Sequence, residues 1–173
     1  MTNTLHCHLL SFQRIGAKVF ITDINTVNLE ATAKEFKATV VGPHEIYDLD
    51  VDIYAPCALG ATINTDTIST LRCAVIAGAA NNQLADENLH GQMLLDKGIH
   101  YAPDFLINAG GVINCYREVR NLSEAETNGL IENIYQRTLD IYKKSKEEKI
   151  PTQEAAIKLA VERIAAVSSG SKQ

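Results

Sequence analysis

Residues 74–83, Ala74-Val75-Ile76-Ala77-Gly78-Ala79-Ala80-Asn81-Asn82-Gln83, pass from four apolar side chains into a loop of glycine, alanine and amides. An apolar run of that length fits a strand buried on both faces, as in a parallel sheet covered by crossover helices. The same pattern recurs in both directions along the chain. Strands are expected over residues 18–23, 39–41, 51–55, 74–77 and 101–107. Helices are expected between them over 27–36, 66–71 and 87–97, with Asn25 capping the first and Gly98 closing the last in a left-handed turn. In the first helix, Val27, Ala31, Ala33 and Lys34 are spaced to give one buried and one wet face. Strands alternating with helices predict an α/β, doubly wound parallel sheet.

Beyond residue 119 no strand pattern returns, so residues 1–119 are expected to form the sheet domain and 120–173 a C-terminal helical segment. Ser123 and Glu126 make a capping box for a helix that carries Leu130, Ile131, Ile134, Thr138 and Ile141 down one side. Pro151 separates it from a last helix capped by Thr152, with Ala156, Leu159, Ala160, Ile164 and Val167 inward and residues 168–173 frayed.

The 173 residues are 46% hydrophobic and 21% charged, which suits a folded water-soluble chain. A net charge of -5 with no uninterrupted basic block argues against nucleic acid and anionic membrane as partners. No stretch approaches the ~18 apolar residues of a membrane span, and no signal peptide is recognisable, so a cytoplasmic setting is expected. The four cysteines, Cys7, Cys57, Cys73 and Cys115, lie far apart without a C-x-x-C pair and read as reduced thiols.

Candidate chemistry sits where apolar strands end. Asp23 closes the strand 18–23, where an acid can accept hydrogen bonds from an adenosine ribose and repel the extra phosphate of NADP; it can equally start a turn. Three loops follow strands: residues 56–60, 78–83 and 108–114. In an open parallel sheet ligands bind outside the carboxyl ends of the strands, so these loops are expected to converge there. Small residues let backbone approach a ring or ribose, and Asn offers both a donor and an acceptor to a carboxamide, although Gly and Asn are also ordinary turn formers. Val112 and Cys115 share a helical face that either lines a pocket or joins the core.

His6, Cys7 and His8 suggest a metal at first sight, but residues two apart do not face one another on a helix and no carboxylate is close in sequence, so none is expected. His44, His90 and His100 have no serine or cysteine partner at a nucleophile-base spacing.

The strings Ala55-Pro56-Cys57-Ala58-Leu59-Gly60-Ala61, Ala80-Asn81-Asn82-Gln83-Leu84 and Tyr101-Ala102-Pro103-Asp104-Phe105-Leu106-Ile107-Asn108-Ala109-Gly110-Gly111-Val112-Ile113-Asn114 closely resemble leucine dehydrogenase and its relatives in the glutamate, leucine, phenylalanine and valine dehydrogenase family. The resemblance runs from about residue 16 to 164. It implies a Rossmann-like fold and oxidative deamination of a branched-chain or aromatic L-amino acid to its 2-oxo acid, with NAD as cofactor. By similarity, Asp23 and Ile24 lie at the adenosine ribose, and Cys57, Ala58 and Leu59 form a loop beside the cofactor. Asn81 and Asn82 lie beside the nicotinamide ribose, and Asn108 is near the carboxamide and the substrate. Val112 and Cys115 shape the substrate pocket, where the family usually has an apolar residue in place of Cys115.

Parts of that pattern have no counterpart here. They are the family's substrate-binding and catalytic N-terminal domain and the first nucleotide-binding strand with its G-x-G-x-x-G turn. Residues 1–15 best match the helix after that turn, with Leu5, Leu9 and Phe12 as an apolar stripe. No catalytic residue is therefore expected in the chain. The two neighbours of the absent strand should carry unpaired backbone groups at about 1 to 3 kcal/mol for each buried one. The expectation is a marginal fold that re-pairs in a non-standard way or is completed by another polypeptide. The alternatives are a non-catalytic NAD-binding or interaction module that docks on a complete homologue, and a homo-oligomer.

Overall fold

The computed structural model describes residues 4–170, with side chains described for residues 9–168. Its elements are α1 (Thr4–Arg14), β1 (Phe20–Ile21), α2 (Thr26–Phe36), β2 (Thr39–Val40), a short 3-10 turn (Glu45–Tyr47), β3 (Ile53–Tyr54) and α3 (Thr65–Thr70). Then follow β4 (Val75–Ile76), α4 (Glu87–Lys97), β5 (His100–Tyr101), α5 (Asp104–Ile107), α6 (Gly110–Arg120), α7 (Glu124–Glu148) and α8 (Thr152–Gly170). All strand pairs are parallel, as the apolar runs predict.

Several element ends follow from local chemistry. The Asn25 side chain accepts from the Asn28 amide at 3.0 Å, and Gly98 closes α4 at φ +75°. Ser123 and Glu126 complete the capping box at the start of α7: the Ser123 amide donates to Glu126 Oε2 at 2.8 Å and the Glu126 amide to Ser123 Oγ at 3.3 Å. The last expected strand is corrected. It ends at Tyr101, because Pro103 cannot donate to a ladder and instead leads into α5, where Asp104 Oδ1 accepts from the Phe105 amide at 2.8 Å.

The strands form two sheets, β1-β2 and β3-β4-β5. Val19 and Ile21 carbonyls accept from Thr39 and Val41 amides at 2.9 and 3.0 Å, so the alternation of a strand turns the amide and carbonyl of Phe20 off the opposite edge. In the same way Asp52 and Tyr54 carbonyls accept from Val75 and Ala77 amides at 3.0 Å, which turns those of Ile53 away from β4. In a doubly wound sheet of order 3-2-1-4-5-6, β2 and β1 take the places 3 and 2, and β3, β4 and β5 the places 4, 5 and 6. Place 1, between β1 and β3, holds no strand among the described residues. The expected desolvation cost at this edge is smaller than reasoned from the sequence, because Ile53 is 45% exposed and water reaches the edge.

Each sheet has its own core. Ile63, Ile68, Leu71, Cys73, Ile76, Leu84, Leu94, Ile99 and Tyr101 pack around the three-stranded sheet, whereas among the described residues the cluster around the other holds Leu9, Ile21 and Phe36. A third cluster, Ile141, Ala155 and Ala156, joins α7 to α8.

Three helix faces differ from expectation. On α2 it is Leu29, Ala33 and Phe36 that face the sheet, spaced i, i+4, i+7, while Val27 is exposed. On α7, Ile131 is half-exposed. On α8, Ala155 and Ala156 are inward, but Ala160, Ile164 and Val167 are exposed. The same helix continues to Gly170 where fraying is expected from residue 168, and residues 171–173 lie outside the described residues. Of the α1 stripe, Leu9 is buried and Phe12 half-buried; the side chain of Leu5 lies outside the described residues.

Unequal cores predict unequal local stability. Native-state hydrogen exchange should release the amides of β1 and β2 before those of β4 and β5; uniform protection would contradict two separately stabilised units.

Candidate functional site

The loops after β3 and β4 meet at one rim. The third expected loop, 108–114, is instead the junction of α5 and α6, with Asn108 ending α5 and Gly110 opening α6, and hydrogen bonds join it to the other two. The Ala80 amide donates to the Pro56 carbonyl at 3.0 Å, and the Ala61 amide to the Asn82 carbonyl at 2.7 Å. The Ala79 amide approaches Cys57 Sγ at 3.5 Å. The third loop joins through Asn108, whose Nδ2 donates to Asn81 Oδ1 at 2.6 Å and lies 3.4 Å from the Ala80 carbonyl.

Glycine is required at two points of this rim by close approach rather than by turn conformation. A Cβ on Gly78 would stand 2.1 Å from the Pro56 carbonyl oxygen, and one on Gly60 2.7 Å from that of Asn82. Backbone packed this closely keeps the loops flat against one another and leaves their outer side open.

Gln83 and Asp104, which the sequence reading did not single out, are the supports. Gln83 is fully buried, and its Nε2 donates to the carbonyls of Gly78 at 2.7 Å and Ala80 at 2.9 Å. Its amide donates to Asp104 Oδ2 at 3.0 Å, which ties the second loop to the start of α5. A proline followed by an acid is a helix-start signal, and it lay unread inside a stretch taken as strand.

The remaining candidates are placed as follows. Cys57 is half-buried, and burial pushes its thiol up, so it is neutral near pH 7 and a poor nucleophile. Ala58 and Leu59 are exposed, Leu59 at 79%. Asn81 and Asn82 are exposed, with Asn82 in a left-handed conformation at φ +51°. Val112 and Cys115 are exposed on α6, so the core alternative for that pair is excluded. The N-terminus of α6, at Gly110-Gly111, has no side-chain cap, and a Cβ at either glycine would meet open space.

Asp23 and Ile24 follow β1 in the other sheet. Asp23 Oδ1 accepts from the Asn25 amide at 2.8 Å, so the turn-starting role is realised. Among the described residues no hydrogen bond links Asp23 to the three loops. The His6, Cys7 and His8 side chains lie outside the described residues. His90 is buried in the fold: its Nδ1 accepts from the Asp86 amide at 2.9 Å, leaving Nε2 to donate to Thr65 Oγ1 at 3.2 Å. Among the described residues no helix is long and apolar enough to cross a membrane.

With three loops joined at the carboxyl rim of a parallel sheet, comparison with known proteins becomes specific. The profile of the glutamate/leucine/phenylalanine/valine dehydrogenases matches residues 16–170. The chain belongs to that family. It is 49% identical over 147 residues to L-tryptophan dehydrogenase of Nostoc punctiforme, covering 85% of this chain and 42% of that protein. It is also 49% identical over 149 residues to leucine dehydrogenase of Thermoactinomyces intermedius, covering 86% and 40%. The crystal structure of the Nostoc punctiforme enzyme superimposes with a TM-score of 0.88 at 46% identity, over 91% of this chain and 48% of that one. The hetero-hexameric glutamate dehydrogenase of Thermus thermophilus, at 17% identity and a TM-score of 0.65, shares the fold, over 90% of this chain and 42% of that one. The chain thus spans about two fifths of the length of the family members it matches in sequence.

The close approach at Gly78 has a direct consequence. Gly78→Ala is expected to lower stability by about 2 to 3 kcal/mol, read as a lower urea midpoint. Gly110→Ala, facing open space inside the first turn of a helix, should stay within about 1 kcal/mol of the parent.

Proposed function

We propose that residues 1–119 supply the dinucleotide-binding part, and 120–173 the C-terminal helical segment, of an NAD-dependent amino-acid dehydrogenase acting on a branched-chain or aromatic L-amino acid. The observation that carries this reading is the hydrogen-bonded convergence of the loops bearing Cys57, Asn81 and Asn108 at one sheet rim. Family membership and relatives named as leucine, tryptophan and phenylalanine dehydrogenases support it.

The residues present suit a dinucleotide. Ile24 and Leu59 stand 94% and 79% exposed, more than apolar side chains gain from water contact, and offer cover to a flat ring. Asp23 has a carboxylate on the surface for a ribose diol, which selects NAD over a 2′-phosphorylated dinucleotide. Asn81 and Asn82 take the second ribose. Asn108, oriented by its bond to Asn81, offers its carboxamide to the nicotinamide amide and to the substrate. Val112 and Cys115 border the side-chain pocket of the amino acid.

Bound NAD would supply a hydride acceptor for oxidation at the amino-acid Cα, with water releasing ammonium and the 2-oxo acid. This chain's share is to bind, orient and shield; no acid or base for proton movement is assigned to it. The groups that hold the substrate carboxylate and activate water belong, by resemblance, to the family's other domain. A reducing cytosol suits Cys73 and Cys115, which form no disulfide, and assembly with further dehydrogenase chains would extend the site.

Titration with NAD is the test. Binding is expected, with Asp23→Ala and Asn108→Ala each weakening it roughly 5- to 30-fold, the loss of one or two good hydrogen bonds. No saturable binding of NAD by the folded chain would overturn the reading. A polypeptide of residues 1–173 supplied with leucine or tryptophan and NAD is expected to form no NADH, and turnover by it would show that catalytic groups have been missed.

A further inference from the structure

Behind the loop that carries Asn81 and Asn82 lies a cavity of about 220 Å³, lined by Asn82, Gln83, Glu87, Tyr101, Asp104 and Gln153 among others. Its polar groups are oxygen-rich, and no lysine, arginine or histidine lines it. Asp104 is 9% exposed, and among the described residues no ion pair reaches Asp104 or Glu87. Two backbone amides, of Gln83 and Phe105, donate to the Asp104 carboxylate, which supports its charge without cancelling it.

Two further oxygens are orphaned here. The Tyr101 hydroxyl, on a side chain 2% exposed, and Gln83 Oε1, on a side chain 0% exposed, have no hydrogen-bond partner. The Gln83 amide nitrogen is already committed to two carbonyls, so its oxygen must be the group left over. Burial, and behind it the Asp104 and Glu87 charges, hold the Tyr101 phenol in its protonated form, against a backbone contact from Asp104 that acts the other way but is too poorly aligned or too long to satisfy the oxygen.

We propose that this cavity binds a small monovalent cation of the potassium or ammonium class, held by the Asp104 and Glu87 carboxylates with the Tyr101 hydroxyl and Gln83 Oε1 as neutral oxygen ligands. The charge balance decides against an anion. Glu87 is exposed and shares its charge with water, so the buried Asp104 carboxylate, which no cationic side chain of the cavity meets, sets the sign of the site. Water alone satisfies the orphaned oxygens but leaves a buried carboxylate without a counter-charge, and buried charges are ordinarily paired or bound to ions. Among the described residues no group of three or more His, Cys, Asp or Glu side chains gathers to hold a metal ion, and neutral phenol and amide oxygens suit a weakly hydrated monovalent ion better than magnesium, which dehydrates reluctantly.

The placement gives the cation a role. Gln83 and Asp104 hold the loop that presents Asn81 and Asn82, so an ion bound to both stiffens that loop from behind. This coupling rests on the dinucleotide reading, whereas the site itself does not.

Melting of the purified chain in potassium, ammonium or choline chloride at equal ionic strength tests the site, since methyl groups shield the choline nitrogen from oxygen ligands. Potassium and ammonium at ten times their dissociation constant should raise the midpoint by roughly 3 to 6 °C over choline. Glu87→Gln, at an exposed position, and Tyr101→Phe, which keeps the ring, should each remove most of that rise while melting like the parent in choline. Crystals soaked in rubidium should give an anomalous peak between Asp104 and Glu87. Equal midpoints in all three salts, an undiminished rise in both variants, or a rubidium-free cavity holding only water would overturn the proposal. A potassium-dependent rise in a chain that binds no NAD would sustain this site and overturn the dinucleotide reading instead.

Discussion

The wholly buried amide of Gln83 organises the rim on which everything functional depends. Its side chain closes the loop after β4 onto itself, its amide fixes the start of α5 through Asp104, and its carbonyl accepts from the Ile63 amide at 3.0 Å. The last two bonds belong to the backbone and are open to any residue, whereas the side-chain amide adds two donors without the desolvation cost of a charge. An apolar residue of the same volume would fill the space and leave the Gly78 and Ala80 carbonyls unanswered. The rim is therefore rigid at its base and polar at its lip, which is what a site for a flat, hydrogen-bonding ligand requires.

Rigidity is unevenly distributed beyond that rim. The three-stranded sheet has nine buried apolar side chains in its cluster, against three around the two-stranded one. Asp23 and Ile24, the proposed ribose contacts, stand on the weaker unit, and the three loops on the stronger. A ligand spanning both would tie the weaker unit to the stronger, so part of its intrinsic affinity would be spent on ordering.

The sequence showed much of this arrangement because the information was local. Asn25, Gly98 and the Ser123-Glu126 pair mark element ends through bonds to residues a few positions away, and each is realised. Apolar runs located four of the strands, whereas the fifth, His100–Tyr101, overlaps its expected span of 101–107 at Tyr101 alone because Pro103 turns the rest into α5. What remained illegible depends on distant neighbours. Val27 is as apolar as Leu29, and only the position of the sheet decides which is buried. Ile164 and Val167 looked inward by spacing, yet they stand 66% and 65% exposed. Gln83 and Asp104 gave no signal as a pair, because they meet only after α4 and β5 have folded between them. The loop motifs were readable through family resemblance, while the bonds from Asn108 to Asn81 needed the fold.

Unpaired strand edges at Phe20 and Ile53 also govern how copies of the molecule behave towards one another. Backbone that has room for one correct neighbour will accept a foreign one, and a short apolar edge is a template for chain-to-chain pairing. Lys18, whose ammonium sits 4.8 Å above the Phe20 ring, places a hydrated charge at one such edge and so discourages stacking of identical chains there. Asp52, exposed directly before Ile53, does the same at the other edge. Each open edge thus carries a charge that works against identical chains pairing through it.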